Sequence, residues 1–304
     1  MFATAGLHFN TSFFWNSLVH PSTAFLQGLE TTVYLAVIAQ SLATIIGLLL
    51  ALARRSKIAP LRAFVWVYTW IFRGTPLLIQ LVIVYDGLAA AGIYTFNNIS
   101  IGSFVIPSVV QAAVVTFTLN EAAYMGEIIR AALNAVDPGQ LEAAMSTGMS
   151  PGQAMRLVVV PQAVRFVVPP LGNDFNAMMK NTSLASVIGV SEMFLVTQEI
   201  NSSTFNTFEI YAVAAIYYLA LTTVWGFIQS AIERRIDRRW GIVRPRRPWS
   251  SWVASWGRRR VATVGSPVEA RCSSGTILER NVLDVVVRPG PRQQRGLLWG
   301  PRDE

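Results

Sequence analysis

The chain has one cysteine, Cys272, and two histidines, His8 and His20, in 304 residues. No disulfide framework or Cys/His metal cluster can be built from that set, so no metal site is expected. Two histidines are also too few for a haem-ligating membrane subunit, and each reads as structural or solvent-facing. There is no G-x-x-x-x-G-K-[ST] phosphate loop and no Ser-His-Asp or Cys-His set, which excludes ATP hydrolysis by that route and these nucleophilic hydrolase designs. The chain is therefore expected to be no enzyme and to bind no cofactor itself. Charge is scarce too: 14% of residues are Asp, Glu, Lys or Arg, against roughly 25% in soluble domains. Segment 1–23 contains no Lys or Arg, so the basic region of a cleavable signal peptide is missing. The first apolar block is too long for a signal segment and is expected to stay in the membrane.

What fills the chain is hydrophobic, 52% of it, and arranged in long blocks. Residues 31–53 carry no charge and would span about 34 Å as a helix, enough for a hydrocarbon core of about 30 Å. Arg54, Arg55 and Lys57 follow as a cytoplasmic anchor. The aromatic stretch 60–72, with Phe64, Trp66, Tyr68, Trp70 and Phe72, reads as an interfacial helix. Thr75-Pro76 reads as an N-cap and first-turn proline, starting a short second span that ends near Ala91. Residues 92–105 read as a loop. A third span, about 106–132, carries Asn120, Glu121, Tyr124, Glu127 and Arg130 at helical spacing. A fourth, about 166–188, is expected to break early at Pro169-Pro170. The fifth is 210–232, uncharged and closed by Arg234, Arg235, Arg238 and Arg239.

The charges orient these spans. Segments 1–30, 86–105 and 191–209 contain no Lys or Arg, whereas the other connections hold Arg54, Arg55, Lys57, Arg62, Arg130, Arg156 and Arg165. The positive-inside rule then predicts an all-α membrane protein of five transmembrane helices, N-terminus outside and C-terminus inside. Residues 1–30 form an extracytoplasmic segment and 31–240 a transmembrane domain, with a cytoplasmic loop at about 137–162. Residues 241–304 form a basic tail expected to be mostly disordered. The net charge of +8 is uneven: residues 1–231 balance to −1 and residues 232–304 to +9. Nucleic-acid binding by the body is not expected. The tail's arginines and tryptophans could touch anionic lipid, or do nothing.

The inner loop reads Glu142-Ala143-Ala144, three residues, Gly148, nine residues, Val158, one residue, then Val160-Pro161. This resembles the EAA signature of the permease subunits of bacterial ATP-binding-cassette importers, with Val158 and Val160 where Ile and Leu are usual. Arg73-Gly74-Thr75-Pro76-Leu77-Leu78, Glu127-Ile128-Ile129-Arg130, Pro161-Gln162-Ala163, Pro169-Pro170-Leu171-Gly172-Asn173 and Lys180-Asn181-Thr182-Ser183-Leu184 resemble elements of the polar amino acid permeases, in the same order. The resemblance covers about residues 28–240 and implies the type I importer permease fold. It implies a bacterial inner-membrane location and a polar amino acid as cargo. It also implies an ATP-binding subunit dimer that carries the ATP and magnesium, a second permease subunit, identical or homologous, and an extracytoplasmic solute-binding protein.

Within that frame Glu142, Ala143, Ala144, Gly148 and Pro161 are the expected coupling residues. The alanines let a short helix seat closely in a cleft, Gly148 permits the turn after it, and Glu142 near the helix start suits the helix dipole. A zwitterionic cargo needs a polar path at mid-depth. Glu121, Tyr124, Asn173, Asn176, Lys180, Asn181, Thr182 and Ser183 are expected there, with an amine meeting Glu121 and a carboxylate meeting Lys180 or the hydroxyls. The other reading of these groups is a structural network between helices. Glu127 and Arg130, three residues apart, are expected to form a structural ion pair. An ion-coupled secondary transporter is the alternative function, and a scaffold without transport a third; five spans with a docking loop argue against the former, and a polar midplane against the latter.

Overall fold

A computed structural model of the chain describes residues 9–102 and 104–239. The chain divides into units Met1–Arg244 and Pro245–Glu304. The second unit lies outside the described residues, as do the expected tail 241–304, His8 and Cys272.

The described part is helical apart from one small hairpin. A short helix, α1 (Thr11–Val19), starts where the Asn10 side chain accepts from Phe13 N–H. Ser22 caps α2 (Thr23–Arg54) through Phe25 N–H. That 32-residue helix is about 48 Å long, longer than a bilayer core. The uncharged window marked only its membrane part, because a helix continues past Glu30 wherever its cap allows. Among the described residues, three helical segments are long and apolar enough to cross a membrane: Thr23–Arg54, Pro151–Ile188 and Thr207–Arg238. A bent pair, Ala59–Gly74 with Leu77–Ala90, makes a fourth if counted as one span. The third expected span, α6 (Ser108–Asn134), has the length, but it falls outside that apolar group.

α2 and α6 form the centre. Gly28, Thr32, Ala36, Ala39, Ala43, Gly47 and Ala51 are buried along one face of α2, a stripe of small residues that lets two helices approach in lipid. A Cβ on Gly47 would sit 2.5 Å from Met125 Cβ of α6, so no larger residue fits. Leu35, Ala39, Ala113, Phe117, Phe175 and Met179 belong to the main core cluster. Ile45, Leu49, Leu52, Leu219 and Phe227 point outward and are more than half exposed. So broad an apolar surface is the face a membrane protein gives to lipid.

The second span departs from expectation at its start. α3 (Ala59–Gly74) and α4 (Leu77–Val82) meet at a 107° bend. Thr75 is extended, with φ −117° and ψ 145°, as a residue before proline should be, and Pro76 has no N–H to continue α3. Thr75 is thus the end of α3 rather than a cap on α4 donors. Its hydroxyl accepts instead from Gln80 Nε2 at 2.7 Å. Gln80 also donates to Phe72 O and Thr75 O, and Asn120 of α6 donates to Phe72 O and Gln80 Oε1, both at 3.0 Å. Tyr68 OH adds a 2.6 Å bond to Leu119 O. The bend is therefore nailed to α6 by side chains. A π turn, Ile83–Gly87, and the short α5 (Leu88–Ala90) finish this span.

The 92–105 connection holds structure where the sequence suggested loop. β1 (Ile99–Ile101) pairs antiparallel with β2 (Phe104–Ile106), turning at Gly102 with φ +62°. Between α6 and α9 lie α7 (Pro138–Ser146), α8 (Pro151–Ala154) and a π turn, Met155–Val159. α9 (Val160–Asn181) runs on unbroken through Pro169 and Pro170. Its partner α11 (Thr207–Arg239) clasps it there: Trp225 Nε1 donates to Gly172 O at 2.8 Å and Gln229 Nε2 to Pro169 O at 3.3 Å. Neighbouring helices commonly carry a proline in a span this way. A 3-10 stretch, Thr182–Ile188, leads to α10 (Met193–Thr204).

Glu192, fully buried, caps α10 by accepting from Phe194 and Leu195 N–H and from Tyr218 OH. This carboxyl lies outside the spans. Burial pushes it above the ordinary range, and its three hydrogen bonds pull the other way.

Candidate functional site

Two constellations hold the expected residues. The first is the 137–162 loop. Pro138 opens α7 and Asp137 caps it, its Oδ1 accepting from Gly139 N–H at 2.8 Å. Asp137 is therefore the carboxylate at the positive helix end, and Glu142 lies in the second turn. Asp137, not Glu142, is the carboxylate placed to meet the helix dipole. Ala144 is packed inside, whereas Glu142, Ala143 and Met145 are exposed. Gly148 ends the helix with φ +90°, a left-handed conformation that favours glycine. Ser150 and Gln153 then form a reciprocal capping box on α8. Pro161 stands in the first turn of α9 and supplies no N–H. Just before it Val160 N–H reaches back to Met155 O, the wide turn that a missing donor invites. Val136, Val159 and Ala163, with Leu141 and Phe166, hold the loop to the helix ends. The result is a short peg with a bare outer face and a rigid base.

The second constellation is a cavity of about 490 Å³ where the bend, α6 and α9 meet. Its size suits a small ligand (roughly 300–1,000 Å³). Arg73, Glu121, Tyr124, Asp174 and Asn181 line it. The Arg73 guanidinium lies over the Tyr124 ring, 5.3 Å from its centre. Glu121 is 6% exposed, with Asp174 and Gln40 as near neighbours. Glu121 Oε1, Asp174 Oδ2 and Gln40 Oε1 are buried and accept no hydrogen bond. Such orphans each cost ~1–3 kcal/mol, more when charged.

A second cavity of about 490 Å³ shares Arg73 and Tyr124 with the first and adds Arg54, Trp66, Trp70 and Glu127. Glu127 accepts from Arg130 Nε at 3.0 Å, and the pair is a salt bridge. A larger cavity, about 1110 Å³, is lined mainly by apolar residues such as Ile38, Val110 and Val114. A zwitterion has no charged partner there.

Of the eight residues expected on a polar path, Glu121, Tyr124 and Asn181 line this first cavity. Lys180 is exposed and outside its lining. The Thr182 and Ser183 hydroxyls turn back to Met179 O and Lys180 O. Asn173 Oδ1 accepts from Gln229, and Asn176 Oδ1 is buried without a partner. Sequence reasoning missed Arg73, Gln40 and Asp174. Arg73 stands in the last turn of α3, and the bend between α3 and α4 turns it to the cavity. Asp174 sat beside Asn173 with the same polarity signal but one residue out of phase.

With this geometry in view, similarity defines the class. Residues 43–238 match the family model described as the binding-protein-dependent transport system inner membrane component, and the chain belongs to that family. It is a membrane protein of that class. The chain is 38% identical over 224 residues to a probable amino-acid permease protein, YxeN, of Bacillus subtilis (strain 168), covering 74% of this chain and 96% of that one. It is 34% identical over 224 residues to the glutamine transport system permease protein GlnP of Escherichia coli (strain K12), covering 74% and 98%. A solved structure, an amino acid ABC transporter crystallised with histidines, superposes with a TM-score of 0.65 at 38% identity, over 72% of this chain and 97% of that one. The methionine ABC transporter MetNI, in an inward-facing conformation, shares the fold at 20% identity and a TM-score of 0.56.

Proposed function

We propose that this chain is the permease subunit of an ATP-driven importer of polar amino acids. It crosses the membrane five times, with the bent pair and α6 counted as spans, the N-terminus outside and the C-terminus inside. It pairs with a second permease subunit, identical or homologous. An extracytoplasmic binding protein delivers the cargo, and a separate ATPase dimer, which holds the ATP and magnesium, drives the cycle. The observation that carries this reading is the cavity walled by Arg73, Glu121 and Asp174, in helices of a transport-system membrane component. Charged side chains at membrane depth are expensive and rare outside transport paths and relays.

The chain's own part is mechanical. The cavity binds cargo with polar groups that the helices position. The peg of α7 presents Ala143 for close seating, with Glu142 beside it to meet a basic partner group. Gly148 and Pro161 fix its angle to α9, the helix that also carries Asp174 and Asn181. A push on α7 therefore reaches the cavity wall through one continuous helix. The names of the relatives support an amino acid as the cargo, and nothing in them or in the fold favours the ion-gradient alternative.

The test is reconstitution. The complete transporter in liposomes should take up an amino acid only with ATP. Deleting residues 141–150 should abolish uptake and co-purification of the ATPase. Undiminished ATP-driven uptake after that deletion would reject the coupling role.

A further inference from the structure

We propose that the large apolar groove between α2, the hairpin and α6 holds one phospholipid of the outer leaflet, with an ethanolamine rather than a glycerol headgroup. The proposal rests on the outer placement of residues 1–30 and concerns a surface apart from the polar cavity.

Length is the first observation. The lining follows α2 from Gln27 to Ile38 and α6 down to Val115. At 1.5 Å per residue, Gln27 to Ile38 is a rise of about 16 Å, close to half of a hydrocarbon core of about 30 Å. That is the depth of one leaflet. The uncharged run of α2 begins at Thr31, so Gln27 and Glu30 stand at the boundary and Ile38 lies within the slab.

The order of side chains is the second observation. Gln27, Tyr94 and Gln111 line the outer end, and Ile38, Val114 and Val115 the deep end. Ile38 and Val115 are 42% and 40% exposed, so neither is covered by its own chain. The deep side chains carry no polar atom, and water gains no partner beside them. Left empty, the groove would forfeit dispersion contacts along that wall. A hydrocarbon chain under a polar head matches this gradient.

Charge is the third observation, and it selects the head. Residues 1–30 and 86–105, which frame the outer end, contain no Lys or Arg. Glu30 is exposed and lies on the face of α2 that carries Gln27 and Tyr34, at helical spacing from both. An anionic glycerol head meets that carboxylate with no cation to offset it. An ethanolamine brings an ammonium to Glu30 and to Gln111 Oε1; the Gln111 amide nitrogen already donates to Asn97 O and Ile106 O. The lipid phosphate accepts from the Gln27 amide and the Tyr94 hydroxyl.

The experiment is native mass spectrometry of the purified permease–ATPase complex, stripped of lipid and then given equal amounts of dioleoyl phosphatidylethanolamine and dioleoyl phosphatidylglycerol. The wild type should retain phosphatidylethanolamine about tenfold or more over phosphatidylglycerol. Val115→Trp, which fills the deep end, should lose it. Leu49→Trp, on an exposed part of α2 outside the groove, should keep it. Glu30→Gln should bring the two lipids to near-equal retention. Co-purification of the ATPase certifies that a variant is folded, and Ile38→Trp repeats the block from the α2 wall if Val115→Trp does not assemble. Retention of neither lipid, equal retention of both by the wild type, or full retention in a folded groove-filling variant overturns the proposal. So does dissociation of the permease dimer in that variant, since the groove would then belong to a second copy of the chain. The readings beneath it fall on other evidence: transport if the complete system shows no ATP-driven uptake of any amino acid, topology if a reporter before Thr11 scores inside.

Discussion

Gly47 and Glu192 show how single positions are constrained by what surrounds them. At Gly47 the neighbour is Met125, whose Cβ lies 2.5 Å from where a new Cβ would be. Gly47→Leu should force α2 from α6 and cost ~1–3 kcal/mol or more, as overpacking does. The melting temperature in detergent should fall clearly. Gly226→Ala, where nothing lies within 4 Å, should hold or raise it. At Glu192 the constraint is charge. Burial raises its carboxyl above the ordinary 4.5, so the folded protein binds that proton more tightly than the unfolded chain. Its contribution to stability is full below about pH 4.5 and drains away as pH rises through the raised value. The melting temperature of the wild type should therefore fall relative to that of Glu192→Gln as the pH climbs from 4.5. A constant gap between the two would contradict the burial argument.

At the scale of elements, the bend and the peg matter most. The angle between α3 and α4 rests on Gln80, which bridges Thr75, Phe72 and Asn120. Gln80→Leu keeps the volume and strands these partners, an expected cost of ~1–3 kcal/mol. Because the bend turns Arg73 to the cavity, ATP-driven uptake should drop more than stability does; equal uptake at wild-type stability would show that the angle is set elsewhere. In the inner loop, Gly148→Val must adopt φ near +90°, strained for a β-branched residue. The peg should tilt, and the ATPase should co-purify about tenfold less well. Ala143→Trp tests the seating surface without touching the turn. It should also lose the ATPase, while Trp at exposed Met145 distinguishes the two faces of α7.

For the whole molecule, topology is the prediction. Five crossings require the termini on opposite sides. A reporter fused after Arg239 should score inside, and one placed before Thr11 outside; agreement of the two on one side would remove a span. The count turns on α6 and on the bent pair. Neither passes as a simple apolar helix, α6 because it carries Asn120, Glu121, Glu127 and Arg130, the pair because it is broken at Pro76. Both are tolerated at membrane depth by contacts with other helices: Gln80 and Phe72 take up Asn120, and α2 covers the small-residue face of α6. These are also the elements that enclose the cavity, so the features that blur the span count are the ones that make a polar path.

Much of this was fixed by local pattern. Apolar block length, the side on which arginines fall, and the spacing from Glu142 to Pro161 each depend on neighbours in sequence. A linear reading can therefore recover the membrane class and the family. It placed the helix ends less well, because caps such as Ser22 and Glu192 act through hydrogen bonds rather than hydropathy. The membership of the cavity lay beyond it. Which polar side chains share a space depends on the sharp bend at Thr75-Pro76 and on the phase of three helices, set by packing between residues far apart in the chain. That is why Glu121 and Asn181 were legible from their motifs, and why Arg73 and Asp174 joined them only in the folded molecule.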